Sequence, residues 1–100
     1  MGLSIRQDAH YVGHDYWKWS VCLEGAPEEL EDVNRVVYIL DPTFHNPVRE
    51  VEDRSTKFRL DTAGWGTFTI RAIAEHRDGG RTSLTHDLVL TYPDGTPTAA

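Results

Sequence analysis

The sequence predicts an all-β domain, an immunoglobulin-like antiparallel β-sandwich of seven or eight strands. Two observations carry this prediction. Short runs in which apolar and polar residues alternate recur along the chain, as expected for strands with one buried face. Glycine, proline and aspartate cluster between these runs, at the spacing typical of a sandwich. No segment has a convincing helical period, and a small barrel is the alternative architecture.

The first half of the chain predicts three strands. Residues 3–12 alternate in polarity, and a turn follows at 13–15. The next run places four large apolar residues on one face: Trp17, Trp19, Val21 and Leu23. The acidic stretch 25–32 is expected to form a loop with one helical turn. Residues 33–40 are almost all apolar, which predicts a strand buried near the middle of a sheet or between layers.

The second half predicts four more strands: 48–51, 58–61, 68–75 and 81–92. The triplet Asp78-Gly79-Gly80 joins the last two as a hairpin, because Asp-Gly and Gly-Gly adopt positive φ at low cost. In the last strand alternate residues share one face, namely Leu84, His86, Leu88, Leu90 and Tyr92.

Composition restricts the partners. The 100 residues form one domain, and 39% hydrophobic content is enough for one core. Ten basic against sixteen acidic residues give a net charge of −6. This balance argues against nucleic-acid binding, which needs a basic footprint. It favours a basic peptide or protein as partner, or serves solubility alone.

The chain reads as one piece of a larger, cytoplasmic protein. Its single cysteine, Cys22, cannot form an intrachain disulfide, which indicates a reducing compartment. No apolar stretch approaches the length of a membrane span, so no membrane contact is expected. Residues 1–92 are predicted to be the folded domain. Residues 93–100 are predicted to be a linker or tail that leads to other domains of a multidomain protein.

The sequence predicts neither an enzyme nor a cofactor site. One cysteine and five histidines show no zinc-ligand spacing. The pairs His14-Asp15 and His86-Asp87 do not form dyads by themselves, because adjacent strand residues point to opposite faces. A glycine loop for phosphate is also missing, since Gly64-Trp65-Gly66 lacks a following helix.

Two loops carry the candidate site. Phe44 lies in the turn-rich segment 40–47, and Trp65 lies between Gly64 and Gly66. If both loops meet at one end of the sandwich, these rings face each other across a slot. The packing alternative places Phe44 in the core and Trp65 as a cap on the sandwich.

Such a slot suits a flat, neutral, apolar group like an acylated lysine. Acylation removes the ammonium charge, so the side chain enters without the desolvation cost of an ion. The buried amide still needs partners. The Thr43 hydroxyl and the backbone N–H groups of Trp65 and Gly66 are the candidates, and the missing side chain of Gly66 leaves room for a longer acyl tail.

Three segments, in this order and at this separation, resemble the YEATS domain. They are Val36-Val37-Tyr38-Ile39-Leu40-Asp41-Pro42-Thr43-Phe44, then Asn46-Pro47-Val48-Arg49-Glu50-Val51, then Gly64-Trp65-Gly66-Thr67-Phe68. Weaker similarity surrounds Trp19-Ser20-Val21 and His86-Asp87-Leu88, so the resemblance covers most of the chain. The compact chain is more similar to the prokaryotic branch of the family than to a eukaryotic chromatin subunit. For that branch a histone ligand is not assumed.

The resemblance implies an immunoglobulin-like sandwich that reads acetylated and crotonylated lysines. It implies that Phe44 and Trp65 form the aromatic sandwich and that Thr43 bonds the acyl amide. The backbone at Trp65 and Gly66 would hold the carbonyl, and Asp87 falls where an acid helps grip a basic peptide. Tyr16 or Trp17 lies near the family's upstream aromatic.

One position departs from the family pattern. Where the familiar readers carry histidine, two residues before the hydroxyl residue, this chain has Asp41. The simpler interpretation makes Asp41 a turn residue that caps its own loop. If Asp41 instead lines the slot, it would repel acidic acyl groups such as succinyl and disturb the hydrogen bonding of the pocket. The alternative function is a structural protein–protein interaction module that keeps the scaffold without binding acyl-lysine.

Overall fold

A computed structural model describes residues 2–98. The strands are β1 (Ser4–Gly13), β2 (Tyr16–Glu24), β3 (Val33–Ile39), β4 (Val48–Val51), β5 (Leu60–Gly64), β6 (Thr69–His76) and β7 (Arg81–Asp87). One helical turn, α1 (Pro27–Glu31), follows β2, and a 3₁₀ turn (Arg54–Thr56) follows β4. The single helical turn lies in the acidic loop, as the sequence predicts.

The strands form two antiparallel sheets. One has the order β1-β2-β5, and the other has the order β4-β3-β6-β7. The all-β sandwich prediction is confirmed, with seven strands between residues 2 and 98. The barrel alternative is wrong, because the strands form two separate sheets.

The core lies between the sheets. From β2 it takes the predicted apolar face, Trp17, Trp19, Val21 and Leu23, each at most 3% exposed. The other sheet contributes Val36, Tyr38, Ile70, Ala72 and Ala74. Tyr38 is buried entirely, and its hydroxyl donates to the Phe58 carbonyl at 2.7 Å. Burial raises the pKa of this phenol above its ordinary value.

Strand β3 lies between β4 and β6, near the middle of its sheet as predicted. The expected burial of both faces is only partly right. Val36 and Tyr38 are fully buried, whereas Val37 and Ile39 on the outer face are half-buried. The register against β6 shifts between Val33 and Arg35. This irregularity lets Val33 and Val36, three residues apart, both reach the core.

Two predicted strands have different limits. Phe58 precedes β5 rather than beginning it, because Lys57 and Phe58 have positive φ and the Phe58 N–H donates to the Asp53 carbonyl. The strand predicted over 81–92 ends at Asp87. Its alternation nevertheless continues, since Leu88 and Leu90 are buried while Val89 is exposed.

The C-terminal segment folds back on the domain as far as residue 98. The Tyr92 N–H donates to the Thr96 carbonyl at 2.8 Å, and the Thr98 N–H donates to the Leu90 carbonyl at 3.0 Å. Residues 99 and 100, part of the predicted tail, lie outside the described residues. The assignment of residues 93–100 as a linker stays a prediction.

Candidate functional site

The loop between β3 and β4 is ordered by hydrogen bonds within the loop and to its flanking residues. The Leu40 N–H donates to the Pro47 carbonyl at 2.7 Å, and the Phe44 N–H donates to the Asp41 carbonyl at 2.9 Å. The guanidinium of Arg49 donates to the carbonyls of Asn46 and His45. The ring of Phe44 is therefore presented by an ordered loop, as a binding site requires.

Asp41 caps this loop, as the simpler sequence interpretation predicts. Its Oδ1 accepts from the Thr43 backbone N–H at 3.0 Å and from the Thr43 hydroxyl at 2.8 Å. These two bonds, the backbone one first, hold the pKa of Asp41 below its ordinary value. Because the hydroxyl proton points to Asp41, the lone pairs of the Thr43 oxygen remain available as acceptors.

The loop between β5 and β6 begins at Gly64, next to the ring of Phe44. Gly64 is buried and pairs with Trp17 of β2. A Cβ on Gly64 would lie 3.6 Å from Cζ of Phe44, so the two loops approach closely here. A Cβ on Gly66 would meet nothing within 4 Å. At the loop's far end the Phe68 carbonyl accepts from the Leu88 N–H at 3.0 Å.

The backbone donors at the tip of this loop are not used inside the fold. Within residues 2–98, no hydrogen bond engages the N–H of Trp65 or of Gly66. Both residues line the cavity that lies between the two loops. An incoming acceptor would therefore find unsatisfied donors at this edge.

The two loops enclose one cavity of about 600 Å³, which we call the main cavity. Its wall contains six of the seven candidate residues: Asp41, Thr43, Phe44, Gly64, Trp65 and Gly66. The other lining residues are Tyr16, His45, Ala63, Thr67 and Phe68. The volume falls within the range of small-ligand sites, about 300–1,000 Å³.

The two aromatic residues have different environments. The ring of Phe44 packs against Phe68, with centroids 5.3 Å apart, and against Trp19 at 6.2 Å. The indole of Trp65 is 64% exposed and makes no ring contact within residues 2–98. Phe44 is thus packed against the core, whereas Trp65, which also lines the main cavity, is mostly exposed to solvent.

The core beneath the main cavity leaves one donor unsatisfied. Trp19 is 3% exposed, and its indole N–H has no partner among the described residues. Its Nε1 would lie 3.7 Å from a Cβ on Gly64. An unpaired buried donor costs about 1–3 kcal/mol. The cost is located where the two loops meet, directly behind Phe44.

The structure separates Asp87 from the other candidates. Asp87 ends β7, lies on the exposed face and accepts from the Thr69 hydroxyl at 2.8 Å. It does not line the main cavity. Its role in gripping a basic peptide stays a prediction.

Sequence reasoning left the upstream aromatic open between Tyr16 and Trp17. Tyr16 is 42% exposed and lines the main cavity, whereas Trp17 is 1% exposed and belongs to the core. The alternation of buried and exposed side chains along β2 distinguishes these two residues. Trp17 shares its face with Trp19 and Val21, so Tyr16 falls on the opposite face.

No cluster of three or more His, Cys, Asp or Glu residues suited to a metal ion occurs between residues 2 and 98. In the same range, no helix has the length and apolar character needed to cross a bilayer. Cys22 is a free, half-buried thiol.

Comparison with known families decides the assignment. The family model of the prokaryotic YEATS domain matches residues 17–89. The chain belongs to the prokaryotic YEATS domain family. A curated relative of this YEATS domain is transcription initiation factor TFIID subunit 14 of Schizosaccharomyces pombe, 40% identical over 68 residues. That match covers 63% of this chain and spans only 27% of the relative's length.

Solved YEATS structures share the fold. The Yaf9 YEATS domain bound to H3K27ac superposes with a TM-score of 0.66 over 97% of this chain and 74% of its own, at 21% identity. The Yaf9 YEATS domain recognising an H3K122suc peptide gives 0.63, with 97% and 73% coverage at 21% identity. The yeast AF-9 homologue Yaf9 gives 0.63, with 93% and 66% coverage at 25% identity.

Proposed function

We propose that this YEATS domain is a non-enzymatic module that binds an acylated lysine of a basic peptide or protein, with the neutral acyl amide held between Trp65 and Phe44. The observation that carries the proposal is the main cavity. Both loops line it, one aromatic wall is anchored and the other is exposed. An acetyl or crotonyl amide is flat and uncharged, so it fits between two rings without ionic desolvation.

Thr43 recognises the amide N–H. Its hydroxyl proton is donated to Asp41, and its oxygen then accepts from the acyl amide. Asp41 thereby fixes the hydroxyl as an acceptor before the ligand arrives. This preorganisation favours an amide over an ester of the same shape, because an ester has no proton to donate.

The acyl carbonyl is held by the loop between β5 and β6. The backbone N–H groups of Trp65 and Gly66 are unused within the part of the chain that the structure describes. They satisfy the carbonyl oxygen, which otherwise would be buried without a donor. The open space at Gly66 accommodates an acyl tail longer than acetyl.

The relatives support the class of ligand. Yaf9 YEATS domains are bound to acylated histone H3 peptides in their structures. For this chain we propose the shared chemistry, an acyl-lysine on a basic sequence, rather than a histone. We further propose that the domain works in the cytoplasm, where its single cysteine, Cys22, stays reduced. We also propose that it is part of a multidomain protein, because the matched region spans only 27% of TFIID subunit 14.

The decisive experiment is a titration with four matched peptides that carry unmodified, acetylated, crotonylated or succinylated lysine. The indole N–H signals are followed by NMR, with the Trp65 signal assigned from Trp65→Ala. We expect saturable shifts of the Trp65 signal for the acetyl and crotonyl peptides only. Thr43→Val should weaken binding about fivefold to tenfold, as expected for one lost hydrogen bond, whereas Thr43→Ser should retain it.

Val89→Ala is the matched control, because Val89 is also exposed and apolar but does not line the main cavity. It should bind like the unmodified domain. If none of the four peptides shifts the Trp65 signal, the acyl-lysine proposal is wrong. The domain is then better described as a structural interaction module, to which the packing of Phe44 against Phe68 already conforms.

A further inference from the structure

A second cavity of about 320 Å³ adjoins the main cavity, and we call it the side cavity. Tyr16 and Trp65 line both cavities. Asp15, Trp17 and Tyr92 belong to the side cavity alone. The acyl-lysine does not occupy this space. A ligand in the main cavity would nevertheless lie against the indole of Trp65, which also lines the side cavity.

Two residues that line the side cavity, Trp17 and Tyr92, form an aromatic cluster with Tyr11. Tyr11, Trp17 and Tyr92 make three edge-to-face contacts, with centroid separations of 5.0, 5.5 and 5.1 Å. The Trp17 indole N–H donates to the Thr91 carbonyl at 2.8 Å. Tyr92 is half-buried. The rings are therefore fixed by one another and by the backbone.

Asp15 is held at the rim by its neighbours and by an unusual backbone. The Tyr92 hydroxyl donates to Asp15 Oδ1 at 2.8 Å, and the Asp15 N–H donates to the Tyr11 hydroxyl at 3.2 Å. Both residues of the β1–β2 turn, His14 and Asp15, have φ of 55°. Two successive left-handed residues favour Asn-Gly in such a turn. Asp15 thus places a carboxylate at a turn position where glycine is more common.

A fixed carboxylate beside aromatic faces selects a cation. Rings attract a cation through their quadrupole, and the carboxylate adds an ion pair. The walls contribute no lysine or arginine from the described residues to compete for Asp15. Arginine fits better than lysine, because its planar guanidinium stacks on a ring and bonds a carboxylate at the same time.

We propose that the side cavity binds an arginine of the same peptide whose acylated lysine enters the main cavity, with Asp15 as its ion-pair partner and Trp65 as the shared wall. This inference rests on the acyl-lysine proposal. Because the two cavities share two residues, the arginine lies within about three residues of the acyl-lysine in an extended peptide. The net charge of −6 favours such a basic ligand.

The test uses short acetyl-lysine peptides in which one neighbouring position at a time is arginine or glutamine. Binding is measured by calorimetry for the unmodified domain, Asp15→Asn, Asp87→Asn and Asp94→Asn. We expect arginine at one position to improve affinity about fivefold over glutamine, as for an exposed cation–aromatic contact and ion pair. Asp15→Asn should abolish this gain and leave the affinity for the glutamine peptide unchanged.

Asp94→Asn is the control for net charge, since Asp94 is an exposed acid outside both cavities. It should retain the gain. If the gain survives Asp15→Asn, or is lost only in Asp87→Asn, the side-cavity proposal is wrong while acyl-lysine binding stands.

A second measurement separates failure of the side cavity from failure of the main cavity. N-acetyl-arginine amide, which has no acyl-lysine, should shift the Trp17 indole signal of the unmodified domain and not of Asp15→Asn. A Trp17 signal that stays unchanged counts against the side cavity, whatever the acetylated peptides do. Conversely, if the Trp17 signal shifts but no acyl peptide causes any response, the acyl-lysine proposal is wrong and the side cavity is a cation site alone.

Discussion

Phe44 and Trp65 occupy the same cavity but contribute differently to stability. Trp65→Ala removes a side chain that is 64% exposed, so we expect the free energy of unfolding to change by at most about 0.5 kcal/mol. Phe44→Ala removes the ring contacts with Phe68 and Trp19, so we expect a loss of about 2 kcal/mol. Urea unfolding curves measure both. A Trp65→Ala variant that unfolds would mean that the indole is part of the core.

We expect Asp41 to restrict which acyl groups the domain accepts. Its carboxylate lies in the wall of the main cavity, and its pKa is lowered, so it is ionised at neutral pH. A succinyl-lysine would bring a second carboxylate into the same space. We expect succinyl peptides to bind at least about tenfold more weakly than acetyl peptides.

Asp41→Asn isolates the charge, because an asparagine oxygen still accepts both bonds from Thr43. In this variant acetyl binding should be retained, and succinyl binding should approach it. Calorimetry with the two peptides gives the ratio. Equal affinity of the unmodified domain for both peptides would show that Asp41 does not act on the ligand.

At the scale of elements, one side chain joins the edges of the two sheets. Gln7 of β1 donates through Nε2 to the Val89 carbonyl at 2.7 Å and accepts through Oε1 from the Val89 N–H at 2.9 Å. It thus pairs with the chain beyond β7 as a strand backbone would. We expect Gln7→Ala to cost about 2 kcal/mol of unfolding free energy, measured in urea. An unchanged midpoint would mean that water replaces these bonds at no cost.

The same junction makes stability depend on pH. His86 Nε2 lies 2.7 Å from Gln7 Oε1, and burial lowers the pKa of His86 below 6.5 although Asp87 opposes this shift. The unfolded chain therefore binds a proton more readily than the folded chain. The contribution of His86 to stability is complete above pH 6.5 and decreases as pH falls towards the folded-state pKa.

We expect His86→Gln to reduce the loss of unfolding free energy between neutral pH and a pH below 6.5, because glutamine does not titrate. His45→Gln, at an exposed histidine, is the matched control for the substitution itself. Denaturant midpoints at several pH values provide the measurement. If both variants keep the original slope, other groups cause the pH dependence.

For the whole molecule, the sequence predicts what depends on local pattern. Strand faces follow from period two, so Trp17, Trp19 and Val21 were placed in the core correctly. The left-handed backbone of Phe58 was missed, because it depends on a hydrogen bond to Asp53 across a turn. Local residue type does not encode such a partner.

In the candidate site, too, local features are predictable from the sequence and contacts between distant segments are not. Glycines around Trp65 and turn residues around Phe44 identify both loops from the sequence alone, and the two loops do meet. The packing of Phe44 against Phe68 and Trp19 depends on how the two sheets pack together. The position of Tyr16 in the cavity wall depends on the same packing, which the sequence of a single loop does not specify. Asp41 was proposed both as a turn cap and as a residue that lines the slot, and the structure shows it in both places.

The net charge of the whole domain adds a long-range effect to these local contacts. With −6 on 100 residues, the domain attracts a basic peptide over roughly one Debye length, about 10 Å at 0.1 M salt and about 3 Å at 1 M. We expect the dissociation constant of an arginine-containing acetyl-lysine peptide to rise about tenfold between about 0.05 and 0.5 M sodium chloride. The glutamine-substituted peptide should change by less than about twofold, because the neutral acyl amide carries no charge to screen. Calorimetry across the salt series separates the two contributions. An arginine peptide as insensitive to salt as the glutamine peptide would show that cavity contacts alone hold the ligand and that the acidic surface serves solubility.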